Sequence, residues 1–310
     1  MAKVVAVTGA TGFIGSAVAR RLHDEGWTVR VLCREGSSRA RLGGVAVQWI
    51  PGDLDDFGAL RRLVEGTEAV VHCAGVVRGA EESRFQAVNA SGVARLAQIS
   101  GEQAPRPRFL LMSSLAAREP SLSHYAASKR QGERALAEAA ESMSWTVLRP
   151  PAVYGPGDRE MLPLLRGMYR GVAPVVGTKG ARFSLLYVDD LADAVASWLR
   201  REAVSGQIYE LHDGRAGGYA WQDVLEAVGE LRGGRVLAVR VPAFLVNGIA
   251  LLNQGVARLT GRSPMLTPGK VRELQHPDWT CDNLAITRDI GWTPRVTLTD
   301  GLHRTLCRAA

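Results

Sequence analysis

The sequence predicts an α/β fold, a doubly wound parallel sheet followed by a smaller, mostly helical domain. Three observations predict it. The chain opens on a short apolar run, Val4-Val5-Ala6-Val7, then a glycine turn, then the helical pattern Ser16 to Leu22. Strand-length apolar runs alternate with helix-period stretches as far as Pro151. After Pro151 that alternation loosens.

The first run is too short for a helix and rich in β-branched residues, so it reads as a buried parallel strand. Its turn, Thr8-Gly9-Ala10-Thr11-Gly12-Phe13-Ile14-Gly15, has the spacing Gly-x-x-Gly-x-x-Gly. This is one residue longer than the usual Gly-x-Gly-x-x-Gly fingerprint. Strand, turn and helix together present unpaired N–H groups and a positive helix end, which suits a pyrophosphate. Gly9 allows the turn, Gly12 lets the backbone approach the phosphates, and Gly15 lets the helix pack on the strand. Further strands are expected at Trp27–Cys33, Val45–Ile50, Ala69–Cys73, Phe109–Met112 and Trp145–Leu148. Helices are expected at Ala59–Val64, Val88–Ile99 and Tyr125–Ala140. Beyond Pro151, Phe183–Asp190 and Gln207–His212 read as strands flanking a helix at Leu191–Leu199. The architecture is therefore Rossmann-type. Residues 1–155, with 183–213 returning, form the dinucleotide-binding domain; 156–182 and 214–310 form the substrate domain.

Composition narrows the function. At 46% hydrophobic and 22% charged, the chain is ordinary globular material. Its net charge is +7, yet the arginines are spread out, which argues against nucleic-acid binding. The cysteines, Cys33, Cys73, Cys281 and Cys307, lack metal or disulfide spacing. The histidines lack ligand spacing too, so no metal is expected. His72, inside an apolar strand, reads as a packed core residue, and one of Asp189 and Asp190 as a helix cap. No secretory signal precedes the first strand, so a cytoplasmic protein is expected. Val241–Thr260 is apolar but interrupted by Asn247, Asn253, Gln254 and Arg258, which is short of a spanning helix. Leu245, Leu252, Val256 and Leu259 share one helical face, read as covering a substrate cleft; a surface membrane contact is the less favoured reading. Trp221, Trp279 and Trp292 are expected to anchor the smaller domain.

The chemistry centres on Tyr125-Ala126-Ala127-Ser128-Lys129. On a helix the phenol and the ammonium share a face. An ammonium beside a phenol is expected to lower its pKa from about 10 toward neutrality. Tyr125 then exchanges a proton with a carbonyl or alcohol oxygen. Ser114, at the end of the fifth strand, holds that oxygen, with Ser113 as the runner-up.

At these residues the chain resembles the extended short-chain dehydrogenase/reductase family, which includes the NAD-dependent epimerases and dehydratases. The likeness spans nearly the whole chain. It implies a phosphate loop at Gly9, Thr11, Gly12, Phe13, Ile14 and Gly15, and an adenine-side pair at Asp53-Leu54. It implies a ribose-side strand end at Cys73-Ala74-Gly75, and the helix asparagine at Asn89. The catalytic Ser, Tyr and Lys fall on Ser114, Tyr125 and Lys129, the last two also contacting the cofactor. The segment around the nicotinamide amide falls on Pro150, Ala152 and Val153, and Phe183–Asp190 resembles the family's return strand into the sheet. The gap from Ser114 to Tyr125 is shorter than the family's usual loop.

The second strand ends on Cys33-Arg34 where an acidic residue would select NAD. A guanidinium suits a 2′-phosphate, so NADP is expected, with NAD as the alternative and adenine stacking as the other role for Arg34. The carboxyl-terminal run resembles the steroid-dehydrogenase and flavonol-reductase branches, which implies an apolar carbonyl or alcohol as substrate. The leading expectation is thus an NADP-dependent oxidoreductase acting on a ketone or secondary alcohol. A nucleotide-sugar epimerase or dehydratase with tightly bound NAD is the second. Leu115-Ala116 stand where the dehydratases carry Asp-Glu, which argues against dehydration. A non-catalytic dinucleotide-binding accessory protein is the third. Helices flanking the sheet commonly pair in the family, which leaves a homodimer open.

Overall fold

In a sheet covered on both faces, each strand must be apolar at consecutive positions, and the side chains divide by alternation. That division is seen in the computed structural model, which describes residues 3–140, 143–178, 180–201, 205–260, 264 and 266–307. Val5 and Val7, with Val29, Val31, Val71 and Leu110, face one layer; Ala6, Val70, Phe109, Leu111 and Val147 face the other. The first layer contains the helices Phe13–Asp24 and Val188–Arg200. The second contains Phe57–Val64, Gly92–Gly101 and His124–Ala139.

The main sheet has seven parallel strands. Their spatial order is Gln207–Glu210, Trp145–Arg149, Arg108–Met112, Ala69–His72, Val4–Thr8, Thr28–Cys33, Val47–Pro51. Val4–Thr8 pairs with Thr28–Cys33 on one side and with Ala69–His72 on the other. The order reverses there, and open α/β sheets leave a crevice at such a point, beyond the strands' carboxyl ends.

The return to the sheet differs from the expectation. Gln207–Glu210 rejoins it, but Leu185–Tyr187 pairs with Ala152–Tyr154 in a separate two-stranded sheet. The helix starts at Val188, so Asp189 and Asp190 lie in its first turn and neither is its cap. Asp190 instead accepts from the backbone N–H groups of Arg295 and Val296, at 3.1 and 2.9 Å, tying the carboxyl-terminal segment to the helix. A third core, built on Tyr154, Leu165, Met168, Tyr187, Val228 and Leu302, fills the smaller domain. Trp221 packs against the Phe183 ring at a steep tilt at this core, whereas Trp292 is buried in the larger domain's first layer.

The helix Ala243–Thr260 turns the other way from the expectation. Val246 and Ala250 pack on Val271 and Leu266, while Leu245, Leu252 and Val256 are exposed. Small residues on the inner face let it lie close to Pro268–Gln275, so its larger apolar side chains project outward. The side chains of Arg258 and Leu259 lie outside the described residues.

The helix running from Glu82 contains a π turn, Ala87–Ser91, before continuing as Gly92–Gly101. Gly132 of His124–Ala139 crosses it there, and a Cβ on Gly132 would lie 2.1 Å from the Asn89 carbonyl oxygen. Backbone cannot yield as a flexible side chain does. Gly132→Ala should therefore destabilise the protein by about 2–3 kcal/mol, read as a lower urea midpoint. An unchanged midpoint would contradict this packing.

Candidate active site

The glycine turn is shaped by what surrounds it. Gly9 has φ +70°, and a Cβ there would stand 2.6 Å from the Ala74 nitrogen. A Cβ on Gly15 would stand 2.3 Å from the Gly9 carbonyl oxygen. Gly12 is the N-cap of Phe13–Asp24 and offers no side chain to the first-turn N–H groups. Those groups have no intrahelical acceptors, so they face the crevice as anion donors. Phe13 and Ile14 are half-buried beside the exposed Gly12, and Thr11 is half-buried before it. A Cβ on Gly155 would be 3.5 Å from the Phe13 ring, which puts the segment after Pro150 against the loop.

From this turn, hydrogen bonds lead to the tyrosine helix. Thr8 Oγ1 bonds to His72 Nδ1 at 2.8 Å and accepts from the Ala74 N–H at 3.2 Å. Gly75 is flanked by Asn89 Oδ1 and Lys129 Nζ, 3.2 and 3.4 Å from where its Cβ would be. The Asn89 amide clamps both backbone groups of Val76, at 2.8 and 2.9 Å, and donates to Ser128 Oγ at 3.0 Å. Ser128 donates to the Tyr125 carbonyl at 2.8 Å. Asn89 lies in the π turn, and its amide reaches across to the strand end. Cys73, Ala74, Gly75, Asn89 and Lys129 thus line one continuous wall.

Ser123 caps the tyrosine helix, accepting from the Ala126 N–H at 2.9 Å. Ser113 donates to Glu133 at 2.5 Å, and Arg149 donates to both Glu133 oxygens, at 2.8 and 2.6 Å. Ser113 is thereby committed to the core, while the half-buried Ser114 accepts from the Ala116 N–H at 3.2 Å and acts on the Tyr125 phenol, opposing the rise in its pKa. Pro150 joins this strand end, its carbonyl accepting from the Leu115 N–H at 2.8 Å; Ala152 is exposed and Val153 half-buried just beyond.

The electrostatics depart from the expectation. Burial raises the Tyr125 pKa above its ordinary value, opposed by the Ser114 hydrogen bond and by Lys270. Lys129 is not among the leading influences on it. Its ammonium donates to the Met112 carbonyl at 2.8 Å, and burial brings its own pKa down to about 8. The cation facing the phenol is Lys270, paired with Glu273 at 2.9 Å. Glu273 also accepts from Ser123, which fixes the helix Pro268–Gln275 over the tyrosine helix. Beside Tyr125 opens a cavity lined also by Val77, Phe85, Gln254 and Lys270. Sequence spacing could not reveal Lys270 and Glu273, which meet Tyr125 only through the fold.

At the other end of the crevice Arg34 is exposed after the strand Thr28–Cys33, and Arg39 lies over the Trp49 ring at 4.6 Å. Asp53 is exposed, and its Oδ1 accepts from the N–H groups of Asp55 and Asp56, at 2.9 and 3.1 Å. The carboxylate therefore builds the turn that presents Leu54, packed beside Gly92. Among the described residues no cluster of His, Cys, Asp and Glu is fit to hold a metal ion. A dinucleotide fits the crevice. Its glycine wall is one that side chains would fill, and its donors sit at a helix amino end.

Fold and site define an enzyme of the extended short-chain dehydrogenase type, using a nicotinamide dinucleotide. A model of the NAD dependent epimerase/dehydratase family matches residues 5–211, and the chain belongs to that family. It is 36% identical to the ceramide reductase of Caulobacter vibrioides over 98% of this chain and 93% of that one. It is 29% identical to the 2-alkyl-3-oxoalkanoate reductase of Stenotrophomonas maltophilia, over 97% of each. Among solved structures, UDP-glucuronic acid 4-epimerase from Bacillus cereus in complex with NAD superposes with a TM-score of 0.75. It is 17% identical and covers 98% of this chain and 97% of its own, a likeness of fold.

His72 supplies a test of the wall's burial. It has no exposed surface, and burial lowers its pKa to about 3 from 6.5. Its contribution is whole above pH 6.5 and is lost as pH falls from 6.5 toward 3. Between pH 7.5 and 5 the wild type should lose about 2 kcal/mol relative to His72→Gln, measured by urea unfolding. Parallel pH profiles would contradict a buried, neutral imidazole.

Proposed function

We propose that the chain is an NADP-dependent oxidoreductase that interconverts a ketone and a secondary alcohol on an apolar substrate. Ser114, Tyr125 and Lys129 carry the chemistry. One observation carries this reading: Tyr125 borders a cavity on one side, with Ser114 acting on its phenol, while Lys129, one turn on, borders Gly75 in the crevice. Two faces of one helix turn thus address two compartments.

When bound, the dinucleotide supplies or accepts a hydride at its nicotinamide. The first-turn N–H groups of Phe13–Asp24 hold its pyrophosphate. Arg34 pairs with the 2′-phosphate, and Leu54, presented by Asp53, lies against the adenine. Lys129 retains N–H directions beyond its Met112 bond and uses them on the nicotinamide ribose. Pro150, Ala152 and Val153 border the nicotinamide amide.

In the reductive direction Tyr125 donates its proton to the carbonyl oxygen. Its raised pKa keeps it protonated at neutral pH, which suits a donor. Ser114 hydrogen-bonds the same oxygen. Lys270 favours the phenolate that proton transfer leaves behind, since its charge faces the phenol. An apolar substrate is supported by relatives named for a ceramide and a 2-alkyl-3-oxoalkanoate. Leu115 and Ala116, both buried, offer no acid for dehydration.

Tyr125→Phe should lower kcat by 10²- to 10⁴-fold in NADPH consumption with a long-chain ketone, with the NADPH dissociation constant within about threefold of wild type. Retained turnover would refute the assignment. NADPH should bind at least tenfold more tightly than NADH by fluorescence titration, and Arg34→Ala should erase the difference. Equal or tighter NADH binding in the wild type would leave NAD as the cofactor.

A further inference from the structure

The helix Ala243–Thr260 has two unlike faces. Val246, Ala250 and Ala257 are buried, and Gln254 reaches the cavity beside Tyr125. The opposite face is apolar and uncovered. Phe244 is 72% exposed, Leu252 69% and Leu251 61%, with Leu245, Ile249 and Val256 also exposed. At 100° per residue these six positions, with Gly248 and Gly255 among them, fall on one continuous arc without a charge or a hydrogen-bonding side chain. Singly exposed leucines are ordinary; a contiguous face of this kind marks an interaction surface.

The charge around this helix indicates what covers it. From Leu231 through Arg272 the sequence holds no Asp or Glu. The same stretch holds seven basic residues, Arg232, Arg235, Arg240, Arg258, Arg262, Lys270 and Arg272. The chain has 38 basic and 31 acidic residues, so outside this stretch the two are equal at 31 each. The net charge of +7 thus equals the count of basic residues in this one stretch of sequence, which contains the uncovered helix. Arg235 and Arg240 are exposed on and before the strand Leu237–Arg240, which leads into the helix, and Leu237 and Val239 are exposed with them. Among the described residues no helix is long and apolar enough to cross a membrane. An apolar face with a basic surround, on a helix too polar to span, is the composition of a helix lying in a bilayer interface.

We propose that the helix Ala243–Thr260 docks the protein on an anionic lipid surface, its apolar arc in the acyl boundary and its basic surround on the headgroups. The helix then stands between the bilayer and the cavity beside Tyr125, so an apolar substrate passes from the leaflet to the site without crossing water. This delivery rests on the reductase reading above; the docking does not.

Vesicle flotation tests it with the full-length protein. Vesicles of equal phosphatidylcholine and phosphatidylglycerol should carry the protein, vesicles of phosphatidylcholine alone should carry at least tenfold less, and 500 mM NaCl should release it. Phe244→Asp with Leu252→Asp should cut partition into the anionic vesicles at least tenfold, with thermal melting unchanged because both side chains are exposed. Arg235→Glu with Arg240→Glu should cut it about tenfold or more. Absence of wild-type protein from the anionic vesicles, or unchanged partition of the Phe244 and Leu252 variant, overturns the proposal. So does a wild-type dimer that the same variant dissociates with no vesicle-bound fraction, since the face then joins two copies of the chain. Vesicle binding by a protein that oxidises no NADPH leaves the docking standing and sinks only the reductase reading.

Discussion

The site depends on a carboxylate buried beneath it. Glu133 sits on the inner face of the tyrosine helix and takes both arms of Arg149 and the hydroxyl of Ser113. Arg149 ends one sheet strand and Ser113 follows the neighbouring one, so three elements meet on one pair of oxygens. Burying an ion pair is costly unless its hydrogen bonds are filled, and removing one partner would leave an uncompensated charge. This network therefore fixes the rotation and height of the helix on the sheet. Tyr125 and Lys129, two turns and one turn before Glu133, take their positions from it.

A second constraint joins the domains. Ser123 caps the tyrosine helix and also bonds Glu273 of the smaller domain. A Cβ on Gly269 would stand 2.8 Å from the Ser123 Cβ, so the helix Pro268–Gln275 meets that cap without an intervening side chain. The phenol's environment is thus shared. Its serine comes from the sheet and its facing cation, Lys270, from the smaller domain. The same contact borders the cavity beside Tyr125, so in the proposed reaction substrate recognition is coupled to the acidity of the phenol.

Much of the larger domain is legible in the sequence because its signals are local. Strand, glycine turn and helix lie within the first two dozen residues, and β-branched runs mark each later strand. The positions of Ser114, Tyr125 and Lys129 are legible for the same reason: one helix turn and one strand end. What was illegible is set by tertiary contact. The i, i+4 spacing of Tyr125 and Lys129 predicts a lowered phenol pKa, but spacing cannot tell that Lys129 turns to the Met112 carbonyl while burial and Lys270 act on the phenol. Nor could periodicity decide which side of Ala243–Thr260 faces inward. Small and large apolar residues score alike in a pattern, yet only the small ones admit a neighbouring helix. Asp53 has a role that its motif does not announce, since its Oδ1 builds the turn that presents Leu54.

The central claim is that one helix turn brings the phenol of Tyr125 and the ammonium of Lys129 to the reactive end of a dinucleotide seated on the glycine turn. A crystal structure of the NADPH complex tests it most directly. The account predicts the pyrophosphate on the first turn of Phe13–Asp24, Lys129 Nζ on the nicotinamide ribose, and the nicotinamide ring between Val153 and Tyr125. A ring held away from Tyr125, or a dinucleotide bound elsewhere on the sheet, would contradict it.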